Sequence, residues 1–320
     1  MISADLIRKQ LEHTIGETDL TGLGQKIQGK VRDCYIVGGN RVIVTTDRLS
    51  AFDRVITTIP FKGQVLSQLA VYWFNKTKHI IDNHLISTPH PNVMITTEAE
   101  VLPVEVVVRG YITGSAWRDY QAGRPVSGIA LPSGLKKSEK FKCALLTPST
   151  KAAHGEHDLP ISSEEILKQG LVNGDLWKQV EEKALALFAF ATEEAAKRNL
   201  ILVDTKYEFG TVGEGKNRKL ILVDEVHTPD SSRYWIANTY AQRFAAGADP
   251  DMLDKEFVRR KLMELGYMGD GEIPVLNDDF RVETAQKYIS TFERLTGEDF
   301  VPAVESLDMA LANLGREQRS

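Results

Sequence analysis

The sequence predicts an α+β protein of two lobes. Three observations carry this: β-branched runs fill much of the first 110 residues, strands and helices mix through the middle, and helical periodicity dominates towards the end. Strands and helices that segregate along a chain favour α+β over an alternating parallel sheet. The expected division is a β-rich lobe at 1–110, with a largely antiparallel sheet, and an α+β lobe at 111–320 that ends in helices, with a cleft between them.

The elements follow in order. Leu6, Ile7, Leu11 and Ile15 recur at helical spacing among charges, which predicts an amphipathic helix and not a signal peptide. In QKIQGKVRDCYIVGGNRVIVTTD the runs YIV and VIV flank GGN, a hairpin signal. A helix is expected over about 63–82, and VEVVVRG at 104–110 as a strand buried on both faces. YITGSAWRDYQAG turns from loop into a short helix. Residues 122–162, rich in Gly, Pro, Ser and Lys, predict a long excursion with little regular structure. Leu176, Val180, Ala184, Leu187, Phe188 and Ala191 form the stripe of a helix over about 175–199. The tetrapeptide ILVD then occurs at 201–204 and 221–224, predicting an antiparallel hairpin with a loop of roughly ten residues. TPDSSRYW reads as a helix start, and mainly helical sequence follows.

Composition narrows the function. A net charge of −5 argues against a general nucleic-acid or anionic-membrane binder, which needs excess Lys and Arg. Two cysteines, Cys34 and Cys143, make no disulfide framework and have no zinc spacing, so a reducing cytoplasm fits best. No apolar run approaches the ~20 residues that span a bilayer.

Several side chains suggest chemistry. Side chains alternate along a strand, so Asp204, Lys206 and Glu208 share a face. Asp224 joins Glu208 on that face in an even hairpin register and leaves it in an odd one. Converging carboxylates are hard ligands suited to Mg²⁺, with Lys206 beside them for a phosphate; the bland alternative is a solvated hairpin face. Ser232 and Arg233 at a helix start would favour an anion, although Asp or Ser there also serves as an ordinary N-cap. GQKIQGKV nearly matches the mononucleotide loop, but Val31 replaces the required hydroxyl and a strand follows where a helix is needed. A glycine turn there can still aim Lys30 and Arg32 at phosphates. His154 and His157 in HGEHD lack further ligands for a metal site. Arg48, Ser50 and Asp53 in TDRLSAFD, and Arg109 and Ser115 in VVRGYITGSAW, follow strands and together describe a pocket for a phosphorylated small molecule.

The motifs GKVRDCY, TDRLSAFD, VEVVVRGYITGSAW, LLTPSTKAAHGEHD, VDTKYEFG and VDEVHTPDSSRYW, in that order over about residues 24–240, resemble the SAICAR synthetase family of purine biosynthesis. The resemblance implies a SAICAR synthase-like fold related to ATP-grasp enzymes. It also implies an ATP-dependent ligation of the carboxylate of carboxyaminoimidazole ribonucleotide (CAIR) to the amine of L-aspartate, releasing ADP and phosphate. It assigns Lys30, Arg32, Asp204 and the backbone at Val101 and Leu102 to ATP, and Glu208 and Asp224 to Mg²⁺. Lys206 falls against the transferring phosphoryl group. Ser50, Asp53, Arg109, Ser115, Ser232 and Arg233 fall to CAIR, with Lys206 and Arg233 as the catalytic pair. Thr150, Lys151, His157 and Asp158 fall near aspartate, on a loop that could exclude water. The rival reading is an ATP-dependent small-molecule kinase; the HRD and DFG signatures of protein kinases are absent from the sequence.

Overall fold

The structure is a computed structural model that describes residues 2–20, 22–151, 158–253, 255–304 and 307. It is α+β and divides into two compact units, neither contiguous in sequence. The first holds Met1–Tyr72, His84–Glu98 and Asp254–Ser320, and the second holds Trp73–Asn83 and Ala99–Leu253. This division differs from a single boundary at residue 110, because the strand that starts at Glu100 pairs with the one that starts at Leu200, and because the C-terminal helices belong with the N-terminal segment.

The first unit begins with α1 (Ala4–Lys9), then β1 (Gln25–Gln28), β2 (Arg32–Val37), β3 (Asn40–Thr45), β4 (Arg48–Ala51), β5 (Arg54–Thr58), the part of α2 (Lys62–Thr77) up to Tyr72, β6 (Leu85–His90) and β7 (Val93–Thr97). Its main sheet has the order β1-β2-β3-β7-β6 and is antiparallel throughout. The expected hairpin is β2–β3. Gly38 and Gly39 both take φ near the left-handed value, 56° and 81°, as a two-residue hairpin turn requires. Tyr35, Val42, Val44 and Val93 pack with Leu23 into a core beneath it. A second hairpin, β4–β5, turns through Phe52 and Asp53 at φ 51° and 59°. Left-handed backbone in non-glycine residues costs about 1–2 kcal/mol each, so this turn stores strain at a candidate position.

The second unit contains β8 (Glu100–Tyr111), α3 (Gly114–Gln121), β9 (Lys140–Thr150), α4 (Ser163–Lys168), α5 (Gly174–Ala196), β10 (Leu200–Val212), β11 (Lys219–Val223), β12 (Ser232–Ile236) and α6 (Ala237–Ala245). Its sheet runs β11-β10-β8-β9, with β12 beside the start of β10. α5 packs across the sheet with Trp177, Val180, Ala184, Leu187, Phe188, Ala191 and Ala195 buried. Each large apolar side chain so buried contributes about 1.5–3 kcal/mol. Asn173 caps the helix by accepting from the Asp175 and Leu176 N–H groups.

The structure departs from the sequence expectation at four elements. VEVVVRG is not buried equally on both faces: Val104, Val106 and Val108 lie in the core, while Glu105 and Val107 are partly exposed on the other face. The excursion at 122–162 contains the eleven-residue strand β9, whose Pro148 hid it; as the last strand of the sheet order, β9 tolerates a missing donor. The ILVD hairpin closes through residues 213–218, shorter than expected, because β10 runs on to Val212. TPDSSRYW does not start a helix: Ser232–Ile236 is the strand β12, with Tyr234 and Trp235 fully buried, and α6 begins only at Ala237.

The chain returns to the first unit with α7 (Glu256–Glu264) and α8 (Asp278–Thr296). Asn277 caps α8 and Gly297, at φ 78°, ends it. Among the described residues no helix is long and apolar enough to cross a membrane.

Candidate active site

One face of the second unit's sheet carries most of the predicted chemistry. Asp204, Lys206 and Glu208 alternate along β10, and opposite them on β8 stand Arg109, Val107 and Glu105. Lys206 Nζ lies 2.8 Å from Glu105 Oε1, 2.5 Å from Glu208 Oε1 and 4.0 Å from Asp224 Oδ2. Lys151, at the end of β9, donates to Glu208 Oε2. Two ammonium groups therefore hold three carboxylates.

Asp224 reaches this cluster by a route that register alone does not provide. Glu208 pairs with Val223, an odd register, which by alternation would turn Asp224 to the far face. But β11 ends at Val223, and Asp224 adopts a left-handed φ of 64°, which breaks the alternation and returns its carboxylate towards Lys206. The segment after it is fastened from the opposite face: Tyr207 Oη and His227 Nε2 are 2.6 Å apart, and both residues are fully buried. Burial pushes His227 down to about 3, so its ring is neutral at ordinary pH.

Charge pairing sets the protonation states. Burial alone would raise the Glu208 carboxyl, but Lys206 and Lys151 hold it well below the usual carboxylate range. Burial would likewise lower Lys206, yet Glu208, Asp224 and Glu105 raise it well above the usual lysine value. Glu105 is raised, by burial and by the negative charge of Glu208, against the pull of Lys206. Glu105 was not among the expected site residues. Its one sequence signal is an acid in the polar phase of a valine strand, directly between Val104 and Val106.

Beside this cluster lies a pair of arginines. Arg109 donates from Nε to Thr147 Oγ1 at 2.9 Å, from Nη1 to Asp204 Oδ2 at 2.9 Å and from Nη2 to Ser115 Oγ at 3.2 Å. Arg233 Nη1 donates to the same Asp204 oxygen at 2.5 Å. Both guanidinium groups adjoin the N-terminus of α3, whose Thr113 N-cap makes no side-chain capping bond. Uncapped helix N–H groups with arginines are a favourable setting for phosphate. Gly114 opens α3 at φ 57°, and a Cβ there would meet the Arg233 guanidinium at 2.7–2.9 Å. Gly114→Ala is therefore expected to cost more than about 1 kcal/mol in stability and to weaken affinity for inorganic phosphate. Unsubstituted-like phosphate affinity, measured calorimetrically, would show that the close approach has no bearing on the anion.

In the first unit the glycine turn between β1 and β2 is built by Arg48. Its guanidinium donates to the carbonyls of Gly16, Gly29 and Lys30, and to Asp33 Oδ1 at 2.7 Å. Buried, with four hydrogen bonds to these acceptors, Arg48 braces the turn. The turn presents Lys30, which pairs with Asp53 on the strained β4–β5 turn. Arg32 begins β2 opposite Thr45, and Ser50 is buried in β4.

Other candidates take no part in the hydrogen bonds and ion pairs described above, although the charge of Asp158 adds to the upward push on Glu105. Ser232 is directed away from Arg233: its hydroxyl lies 2.8 Å from Thr205 Oγ1 on the buried face, because neighbours in a strand alternate. Thr150 closes the base of the loop after β9, its hydroxyl accepting from the Leu159 N–H. Val101 and Leu102 lie inside β8, not ahead of it, next to an irregularity where pairing with β10 jumps from Glu105 to Val101. Asp158 is exposed, and His157 lies outside the described residues.

The fold, with this acid, lysine and arginine face on one sheet, places the chain in the α+β class. The chain matches the SAICAR synthetase family model over residues 25–274 and belongs to that family. A phosphoribosylaminoimidazole-succinocarboxamide synthase from Legionella pneumophila is 46% identical over 291 residues, 89% of this chain and 91% of that one. A SAICAR synthase from Saccharomyces cerevisiae, solved in complex with SAICAR, superposes with a TM-score of 0.80 at 34% identity, covering 90% of this chain and all of that one. A type-2 SAICAR synthetase in complex with ADP superposes with a TM-score of 0.66 at 25% identity, covering 87% of this chain and all of that one.

Proposed function

We propose that the chain joins the carboxylate of CAIR to the amino group of L-aspartate at the expense of ATP, as its family does. The observation that carries this reading is the juxtaposition, on one sheet face, of the Glu105, Glu208, Asp224 and Lys206 cluster with the Arg109 and Arg233 pair. A ligase needs both a place for phosphoryl transfer and an anchor for a phosphorylated acceptor. The comparisons lend no support to the kinase alternative.

A carboxylate does not react with an amine at neutral pH, so it must first be activated. A CAIR carboxylate oxygen attacks the γ-phosphorus of ATP, the bond to the β-phosphate bridging oxygen breaks, and ADP leaves. The aspartate nitrogen then attacks the acyl carbon, the phosphate departs with the C–O bonding pair, and the nitrogen loses a proton to give the amide. Both steps spread negative charge, which fixed cations stabilise. Lys206 neutralises the transferring phosphoryl group. Arg109, Ser115 and Arg233 hold the anionic end of CAIR, and Lys151 attracts the dicarboxylate of aspartate. Lys30 and Arg32 keep their assignment to the ATP phosphates, and the irregular backbone near Val101 and Leu102 to adenine. Ser50 and Asp53 stay assigned to CAIR, and Thr150 and Asp158 to the aspartate loop.

The donor set fits Mg²⁺. Glu208 and Asp224 offer only hard oxygen ligands, and both face a cation. Among the described residues no group of three His, Cys, Asp or Glu forms a metal cage. Mg²⁺ does not ask for one, since it binds through one or two carboxylates and keeps water and phosphate oxygens. When bound, it would supply charge neutralisation for the phosphates. A cytoplasmic setting is consistent with two cysteines that are not joined in a disulfide.

The test is a coupled assay. ADP release is expected only when CAIR, L-aspartate and Mg²⁺ are all present with ATP. Equal release without aspartate, or none with the full set, would sink the reading.

A further inference from the structure

Asp204 was expected on the nucleotide side, but its carboxylate is committed elsewhere. One oxygen, Oδ2, accepts from Arg109 Nη1 and from Arg233 Nη1. The carboxylate is buried, its side chain 7% exposed, and stands in the middle strand with an arginine in register on each side: Arg109 on β8 and Arg233 on β12.

The second of those registers depends on a bulge. Leu202 pairs with Tyr234, so regular pairing would set Arg233 opposite Val203; the register shifts by one residue, and Arg233 meets Asp204 instead. Bulges of this kind re-aim a side chain. Val203 takes the opposite course and packs with Tyr111 and Trp235 in a buried cluster. The strand thus gives up one step of its ladder, and Asp204 meets both arginines.

We propose that Asp204 is a positioning residue, which holds Arg109 and Arg233 together as one fork for the anionic end of the ribonucleotide substrate. It acts through the arginines and touches neither ATP nor the reacting atoms. Two guanidinium groups sharing one oxygen repel each other, and the carboxylate between them keeps the pair together at a net charge of +1. This inference rests on the assignment of that pair to CAIR.

Charge and position make opposite predictions for Asp204→Asn. The substitution raises the local charge from +1 to +2, so a site that worked by charge alone would bind anions more tightly. Positioning predicts the reverse: KM for CAIR rises roughly tenfold or more, the loss expected for a buried charged hydrogen bond. KM for ATP and for aspartate stays unchanged, and kcat moves much less. The double variant Asp204→Asn/Arg233→Met removes one charge of each sign and relieves the repulsion, which keeps the question measurable if the single variant does not fold. Its KM for CAIR is expected to equal that of Arg233→Met alone. Tighter or unmoved CAIR binding in Asp204→Asn, a rise in KM for ATP instead, or a further large loss in the double variant would overturn the proposal. Calorimetry with ribose 5-phosphate reads the same order of affinities without turnover. If the unsubstituted enzyme fails the coupled assay, the underlying assignment falls; if it turns over normally while Asp204→Asn binds as well as it does, only the positioning role falls.

Discussion

Glu208→Gln is expected to lower turnover by at least about a hundredfold while leaving the thermal midpoint within a few degrees of the unsubstituted protein. The two side chains have the same shape, and Lys206 keeps Glu105 and Asp224 as partners. What is lost is the charge of the one carboxylate that both Lys206 and Lys151 contact, and with it one of the two carboxylates proposed as ligands of Mg²⁺. Asp224→Asn is the matching substitution on the other side, and asparagine is the right choice because it tolerates the left-handed φ of 64° that brings residue 224 to the cluster. Steady-state ADP release and a melting curve on each variant separate chemistry from folding. Full turnover in Glu208→Gln, or activity lost only in step with unfolding, would reduce the cluster to a polar sheet face.

The parts of the site that were legible in the sequence are those fixed by alternation within one strand. Asp204, Lys206 and Glu208 stand two residues apart, so a strand places them on one face whatever the tertiary context. Legibility ends where partners from other strands decide. Glu105 joins the cluster because β8 lies beside β10 with Glu105 opposite Glu208, a pairing of residues about a hundred positions apart that no local pattern encodes. Asp224 converges with Glu208 despite an odd register, through one left-handed residue at a strand end. Ser232 and Arg233 look equivalent in TPDSSRYW as the start of a helix; as a strand they part, Arg233 to Asp204 and Ser232 to Thr205. The α+β class and the hairpin at Gly38 and Gly39 were readable for the opposite reason, since turn chemistry and hydrophobic period are local. β9 was not, because Pro148 argues against a strand until an edge position excuses it.

Lys206→Met is expected to abolish turnover and also to destabilise the fold, by an amount that depends on pH in a direction opposite to Glu208's own contribution. In the unsubstituted protein the folded-state pKa of Glu208 lies below its unfolded value, so that carboxyl contributes stability above about pH 4, the unfolded carboxylate range, and loses it as pH falls further. Without the ammonium group, Glu105 and Glu208 keep their burial, the three acids keep their mutual repulsion, and Lys151, on Glu208 alone, is the cation left to the cluster. Glu105, already raised by burial and by Glu208, then climbs further above its unfolded value, and Glu208 climbs from its depressed position. Stability linked to a raised carboxyl pKa is fully present below the unfolded value and is lost as pH climbs through the folded one. The penalty is expected to be on the order of 3 kcal/mol near neutral pH, where one partner of a buried ionic group has been removed, and to shrink towards about pH 5 as protons replace the missing cation. Melting curves for both proteins between about pH 5 and pH 8 test this. The gap between the two midpoints should widen with rising pH, and a constant gap would mean that Lys206 contributes packing, not charge, to the three acids around it.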